Sequence, residues 1–278
     1  MLDPTWALTR PILWLALVLL LVLLVVRSVR KDRREYQRFK RYRTTLKRQA
    51  MFRRWLLSAF LSFGGLSVAI LLLAGAFVAP LLQQLTQWPV LREIRGFASH
   101  ETGFFVAIVV AVVVALTVLT IVGILAARKE PEITTVGDIH AMLPRNRQEL
   151  ALGGVMSINA GVVEELLFRL ALPALLFGAT GSAVAAVLGS VLLFGALHVY
   201  QGVAGIIGTT IIGALMLALY VISGSIVAPI VAHAAFDLRS LVLLPMAIYG
   251  AHHIDGRVTR FVSIHPPTRT SEPTPPVS

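Results

Sequence analysis

Two adjacent glutamates, Glu164 and Glu165, and an arginine, Arg169, interrupt a stretch that is apolar for many residues on either side, in the run GVVEELLFRL. Downstream, FGALHVY carries His198 four residues after Phe194, and HAAFD carries His233 four residues before Asp237. Carboxylates and imidazoles are the side chains of proton transfer and of metal ligation. Held in the hydrocarbon of a bilayer, each ionised group costs roughly 2.5–3.5 kcal/mol at a helix centre. A chain that only had to insert would not carry so many, so the set calls for a compensating role.

Helical phase separates these groups. Glu165 and Arg169 are one turn apart on one face, the spacing of an ion pair. Glu164 lies about 100° round the helix from Glu165 and need not share that arginine. One carboxylate is thus held and neutralised while its neighbour stays free. His233 and Asp237 share a face of another segment, and His198 lies near the end of a third. Three segments each present a polar face, and in a tight bundle those faces meet one another. Arg239 also falls inside the last apolar stretch. His100, His140, His252 and His253 fall in loops or the tail and receive no role, and Met156, Met216 and Met246 read as core filling.

The elements that must position these groups follow from composition. Hydrophobic residues make up 56% of the 278 positions and charged residues 14%, with a mean hydropathy of +0.80. A soluble domain carries about a quarter charged residues. The expected fold class is all-α, a polytopic transmembrane helix bundle of about seven or eight membrane helices. Apolar spans read as Trp6–Val26, Leu56–Leu82 and Phe104–Ala127, then Leu152–Phe177, Ser182–Tyr200, Val203–Ile222 and Ile226–Ile248. The short links between the last four demand antiparallel neighbours. Gly205, Thr209 and Gly213, at helical spacing, favour close approach. The polar stretch after Leu82 reads as an outer connection, and residues 128–150 as a return to the inner side. Residues 1–150 read as N-terminal membrane helices with a basic loop, 151–250 as the helical core bearing the polar set, and 251–278 as a disordered proline-rich tail.

Charge sets the orientation. About half of the 25 Lys and Arg residues crowd between Arg27 and Arg54. Between apolar spans such a run reads as a cytoplasmic loop facing anionic headgroups rather than as a nucleic-acid patch. The N-terminus then lies outside, with the basic loop 27–54 and the C-terminus cytoplasmic. The basic cluster follows the first apolar run instead of preceding it, which argues against a cleaved signal peptide. With no cysteine, the chain has no disulfide, thiolate nucleophile or Cys-bound metal.

The three polar clusters together resemble a known signature. E-E-x-x-x-R, F-x-x-x-H and H-x-x-x-N/D, in that order on membrane helices, mark the CPBP family of CAAX proteases and bacteriocin-processing enzymes. Here they stand as Glu164-Glu165…Arg169, Phe194…His198 and His233…Asp237. The resemblance covers Leu152 to about Leu244. It implies an intramembrane endopeptidase, a hydrolase of the type II CAAX prenyl endopeptidase kind, multi-pass in a prokaryotic plasma membrane. By the same resemblance Glu164 is the general base, His198 holds the attacking water and His233 donates to the oxyanion. Glu165 and Arg169 fix the helix, and Asp237, where relatives also use Asn, orients His233. The implied partners are the lipid bilayer and a membrane-associated peptide or protein substrate, with no nucleic acid.

Competing readings remain at this level. The same fold can serve as a non-catalytic scaffold or a bacteriocin-immunity protein, and the polar cluster can conduct ions. No cofactor is expected, but Glu164, His198, His233 and Asp237 are also a Zn²⁺ or Fe²⁺ ligand set. Against the metal stands the absence of H-E-x-x-H and the origin of the ligands on three separate helices.

Overall fold

A computed structural model describes residues 1–100, isolated positions between 114 and 125, and residues 138–257. The expected span Phe104–Ala127 falls largely outside the described residues, as do 128–137 of the following connection and the tail beyond 257. The architecture is all-α. Among the described residues four helical stretches are long and apolar enough to cross a membrane: Thr9–Phe39, Thr45–Thr86, Val199–Ser223 and Val227–Tyr249. Ala183–Leu197 is a shorter apolar helix.

The first of these begins as α1 (Thr9–Val26), passes through a π turn at Arg27–Asp32, and continues as α2 (Arg33–Phe39). Leu13, Leu17, Leu20 and Leu24 are buried at three- and four-residue spacing, while Leu15, Val18, Leu19 and Val22 stay exposed on the lipid-facing side. The second comprises α3 (Thr45–Ala59), a π turn at Phe60–Gly64, α4 (Gly65–Ala74) and α5 (Val78–Thr86). Next comes α6 (Pro89–His100), where the sequence reading expected a polar connection. It packs on a later span through Arg95, whose Nη1 donates to the Val221 carbonyl at 2.8 Å.

The basic run is therefore a helical hairpin, not a loop. Arg, Lys, Gln and Glu are good helix formers, and no Gly or Pro interrupts them. The chain breaks only near Thr44, whose backbone is extended. Nor does the whole run face outward. Arg48 is 1% exposed, and its guanidinium donates to both Glu149 oxygens at 3.0–3.2 Å and to the carbonyls of Ala141 and Leu143.

The second half opens with α7 (Arg147–Glu165), capped by Asn146, whose Oδ1 accepts from the Glu149 N–H at 2.9 Å. A π turn at Leu166–Ala171 leads into α8 (Leu172–Thr180). Gly181, at φ +72°, ends α8 in the left-handed conformation that suits glycine. Then follow α9 (Ala183–Leu197), α10 (Gly202–Ser223) and α11 (Val227–Leu238). A π turn at Arg239–Leu243 joins α11 to α12 (Leu244–Tyr249). On α10, Val203, Ile207, Ile211 and Leu215 form an exposed lipid-facing row, with Gly205, Gly213 and Leu217 buried on the inner side. The start of the tail is docked: the Ile254 carbonyl accepts from the Arg147 N–H at 2.9 Å, and the Gly256 carbonyl accepts from Gln49 at 2.8 Å.

Helices α7 and α11 approach unusually closely. A Cβ on Gly161 would stand 2.9 Å from the Ile230 carbonyl oxygen and 3.0 Å from the Ala234 Cβ. Gly153, Ser157 and Gly161 lie on one row at four-residue spacing, all buried, and the same row continues into Glu165 and Arg169. The face that brings the backbones together is thus the face that carries the ion pair.

Candidate active site

Glu165 and Arg169 meet as their spacing demands, with Nε 2.8 Å from Oε2 and both side chains almost wholly buried. Arg169 Nη2 also donates to the Gly213 carbonyl at 3.3 Å, and its guanidinium lies 4.7 Å from the centre of the Phe194 ring. Gly213 is small for a reason: a Cβ there would stand 2.8 Å from Phe194 Cδ1. Phe194 in turn touches Phe168, His198 and His233 with its ring. It is the apolar hub around which the polar residues are arranged.

The other oxygen of Glu165 has a second partner across the α7–α11 contact. His233 Nδ1 lies 2.6 Å from Oε1, a hydrogen bond in which the ring N–H donates to the carboxylate. The family resemblance assigned the orienting of His233 to Asp237, one turn away on its own helix. In the structure the hydrogen bond on Nδ1 comes from Glu165, and Asp237 Oδ2 stands 3.7 Å from the opposite nitrogen, Nε2. Glu164 Oε2 stands 4.0 Å from that same Nε2. The outer nitrogen of His233 therefore faces two carboxylates while its inner nitrogen is fixed by a third.

His198 is the C-cap of α9, at the mouth of the bundle. Its Nδ1 is 2.8 Å from the Phe194 carbonyl oxygen, which can only accept, so Nδ1 carries a proton and the neutral form of the ring presents its lone pair at Nε2. Glu164 and His198 line a common cavity of about 160 Å³. His233 and Asp237 are not among the residues lining it. The four expected residues thus fall into two pairs joined at Glu164, whose side chain is 18% exposed whereas that of Glu165 is 0%. Arg239 lies away from this cavity, its Nε donating to Thr120 Oγ1 at 3.0 Å. Among the described residues, no group of three or more His, Asp or Glu is arranged to hold a metal ion.

The cavity also holds polar residues that sequence reasoning missed. Asn159, on α7, reaches it from within an apolar run where an amide should have drawn notice, and Tyr200 reaches it beside His198. Arg27, Ser28 and Asp32 enter from the first π turn. Their signal was hidden because they belong to a basic run in which no single member stands out.

Against known families, residues 146–239 match the type II CAAX prenyl endopeptidase, Rce1-like, family. They form an Rce1-like domain. The match begins at Asn146, the cap of α7, and ends at Arg239, immediately after α11. Every residue of the three motifs falls inside the Rce1-like domain, which is in general a protease domain set in a membrane protein. Arg27, Ser28 and Asp32 fall outside it. No curated protein and no solved structure matches the chain.

Proposed function

We propose that the protein is an intramembrane endopeptidase that hydrolyses a peptide bond of a membrane-associated substrate with a water activated by Glu164. The observation that carries this reading is Glu164 itself: one carboxylate faces a cavity shared with His198 and stands 4.0 Å from His233 Nε2. Its adjacent twin is consumed by Arg169 and His233. In this mechanism Glu164 takes one proton from the water and His198 Nε2 accepts a hydrogen bond from the other. The water oxygen attacks the scissile carbonyl carbon, and the oxyanion formed receives a hydrogen bond from His233 Nε2–H. That donor exists when the ring is doubly protonated, with Nδ1–H on Glu165 and Nε2–H left to turn to the oxyanion. Loss of one such donor typically costs about 3 kcal/mol. Glu164 then returns its proton to the departing nitrogen, and the carbon–nitrogen bond breaks without a covalent intermediate.

A prenylated substrate is the first to try, since the family description names that class. The test is a comparison of peptide termini in membrane fractions from cells expressing wild type or Glu164→Gln. New termini confined to wild type are expected, and identical sets would refute the reading. Purified wild type should keep its rate after chelation. Loss of activity restored by Zn²⁺ would instead favour the metal-dependent reading.

A further inference from the structure

The cavity shared by Glu164 and His198 has a single cationic side chain among its lining residues, Arg27, supplied from outside the Rce1-like domain. Two fully buried arginines are paired with carboxylates: Arg48 grips both Glu149 oxygens and two carbonyls, and Arg169 Nε lies 2.8 Å from Glu165 Oε2. Arg27 is held loosely by comparison. Nε reaches Asp32 Oδ2 only at 3.4 Å, Nη1 reaches the Ser58 carbonyl only at 3.4 Å, and Nη2 has no hydrogen-bond partner among the described residues. Its guanidinium carbon nonetheless rests over an aromatic face, 4.5 Å from the centre of the Phe63 ring. A guanidinium resting on an aromatic ring with a spare donor group is suited to receive an anion.

Its placement is tied to the site. The neighbouring Ser28 Oγ donates to the Leu197 carbonyl at 2.8 Å, which locks the Arg27 turn to the residue before His198. Arg27 opens the π turn Arg27–Asp32, Phe63 lies in the π turn Phe60–Gly64, and Phe168 lies in the π turn Leu166–Ala171. Three helices thus widen toward one cavity, a deformation that recurs at functional sites. Leu24, Leu56 and Phe63 provide an apolar flank beside the charge.

Building on the protease reading, we infer that Arg27 is a specificity-determining residue that binds a carboxylate of the peptide substrate near the scissile bond. Two coplanar oxygens fit the free guanidinium edge, and the carboxylate is either the chain terminus or an acidic side chain.

The probe is a fluorescent peptide bearing an isoprenylated cysteine followed by three apolar residues, made as the free acid, as the C-terminal amide, and as an amide with one Glu among the three. Binding is measured by anisotropy to Glu164→Gln protein in nanodiscs of zwitterionic lipid, with and without Arg27→Gln or Arg27→Lys, and hydrolysis is measured in the active background. Arg27→Gln should weaken binding of a carboxylate peptide about tenfold or more, leave the plain amide unchanged, and be partly rescued by Arg27→Lys. In hydrolysis the loss should fall on KM with kcat nearly constant. The free acid and the Glu amide tell which carboxylate is read. Equal losses for acid and amide, equal affinities in wild type, or no affinity for any probe overturns the assignment. So does a dependence on Arg27 that arises only in phosphatidylglycerol nanodiscs and is the same for every peptide, which would make a lipid phosphate the occupant. Carboxylate-selective binding without hydrolysis would sink the protease reading and leave the subsite standing.

Discussion

Glu164 and Glu165 are chemically identical and adjacent, yet 100° of helical phase gives them opposite environments, so their glutamine variants should fail in different ways. Glu164→Gln removes a carboxylate that faces the cavity and has no arginine partner of its own. It should lower turnover about 10²–10⁴-fold, the range for a lost general base, with little change in thermal unfolding in detergent. Glu165→Gln leaves the Arg169 guanidinium buried without its counter-charge. Breaking a buried pair in this way costs about 3–5 kcal/mol, so unfolding should shift to markedly lower temperature. Equal thermal losses for the two variants would contradict the division of labour. That division was legible in the sequence, because the i,i+4 rule pairs Glu165 with Arg169 and frees Glu164. The bond from Glu165 to His233 was not, since it joins residues 68 positions apart and depends on how two helices are rotated against each other.

The closeness of α7 and α11 is what lets Glu165 reach His233. Two glycines of α7 allow a controlled test. Alanine at either should gain up to about 1 kcal/mol of helix propensity. A Cβ at Gly154 meets Val242 at 3.7 Å, an ordinary contact, whereas at Gly161 it meets the Ile230 carbonyl at 2.9 Å. Gly154→Ala should therefore be neutral or stabilising. Gly161→Ala should destabilise by about 1–3 kcal/mol, the cost of overpacking, and reduce turnover as His233 is displaced. A Gly161→Ala protein as stable and active as Gly154→Ala would show that this contact does not position the site. Four of the spans could be read from hydropathy, whereas the small-residue row Gly153, Ser157, Gly161 ahead of Glu165 went unread. The π turns had no sequence signal, because one extra residue in a turn arises from tertiary packing rather than from local propensity. The helical hairpin was missed for another reason: clustered charge was taken to mean a loop, although the same residues favour a helix.

At the scale of the whole molecule, the N-terminal half is joined to the Rce1-like domain by a second buried ion pair, Arg48–Glu149, next to the Asn146 cap. Arg48→Met or Glu149→Met alone should cost about 3–5 kcal/mol by leaving one charge buried, and the double variant should recover much of it, a coupling that a double-mutant cycle measures. Since Arg27 reaches the cavity from the same half, the single variants should also weaken substrate binding, whereas losses that simply add would mean the pair is not coupled. We propose that the remaining basic residues set the orientation. Arg30, Arg33, Arg34, Arg38, Arg41, Arg43, Lys47 and Arg53 are exposed on the hairpin, and such a cluster is retained on the cytoplasmic side beside anionic headgroups. In that orientation the cavity between the hairpin and His198 would open toward the cytoplasm, the source of water for the proposed hydrolysis. The chain has no cysteine, so Arg41→Cys creates a unique label site. A membrane-impermeant maleimide should miss it in intact cells and label it in inverted vesicles. Labelling in intact cells would reverse the topology and place the source of the catalytic water on the other side of the membrane.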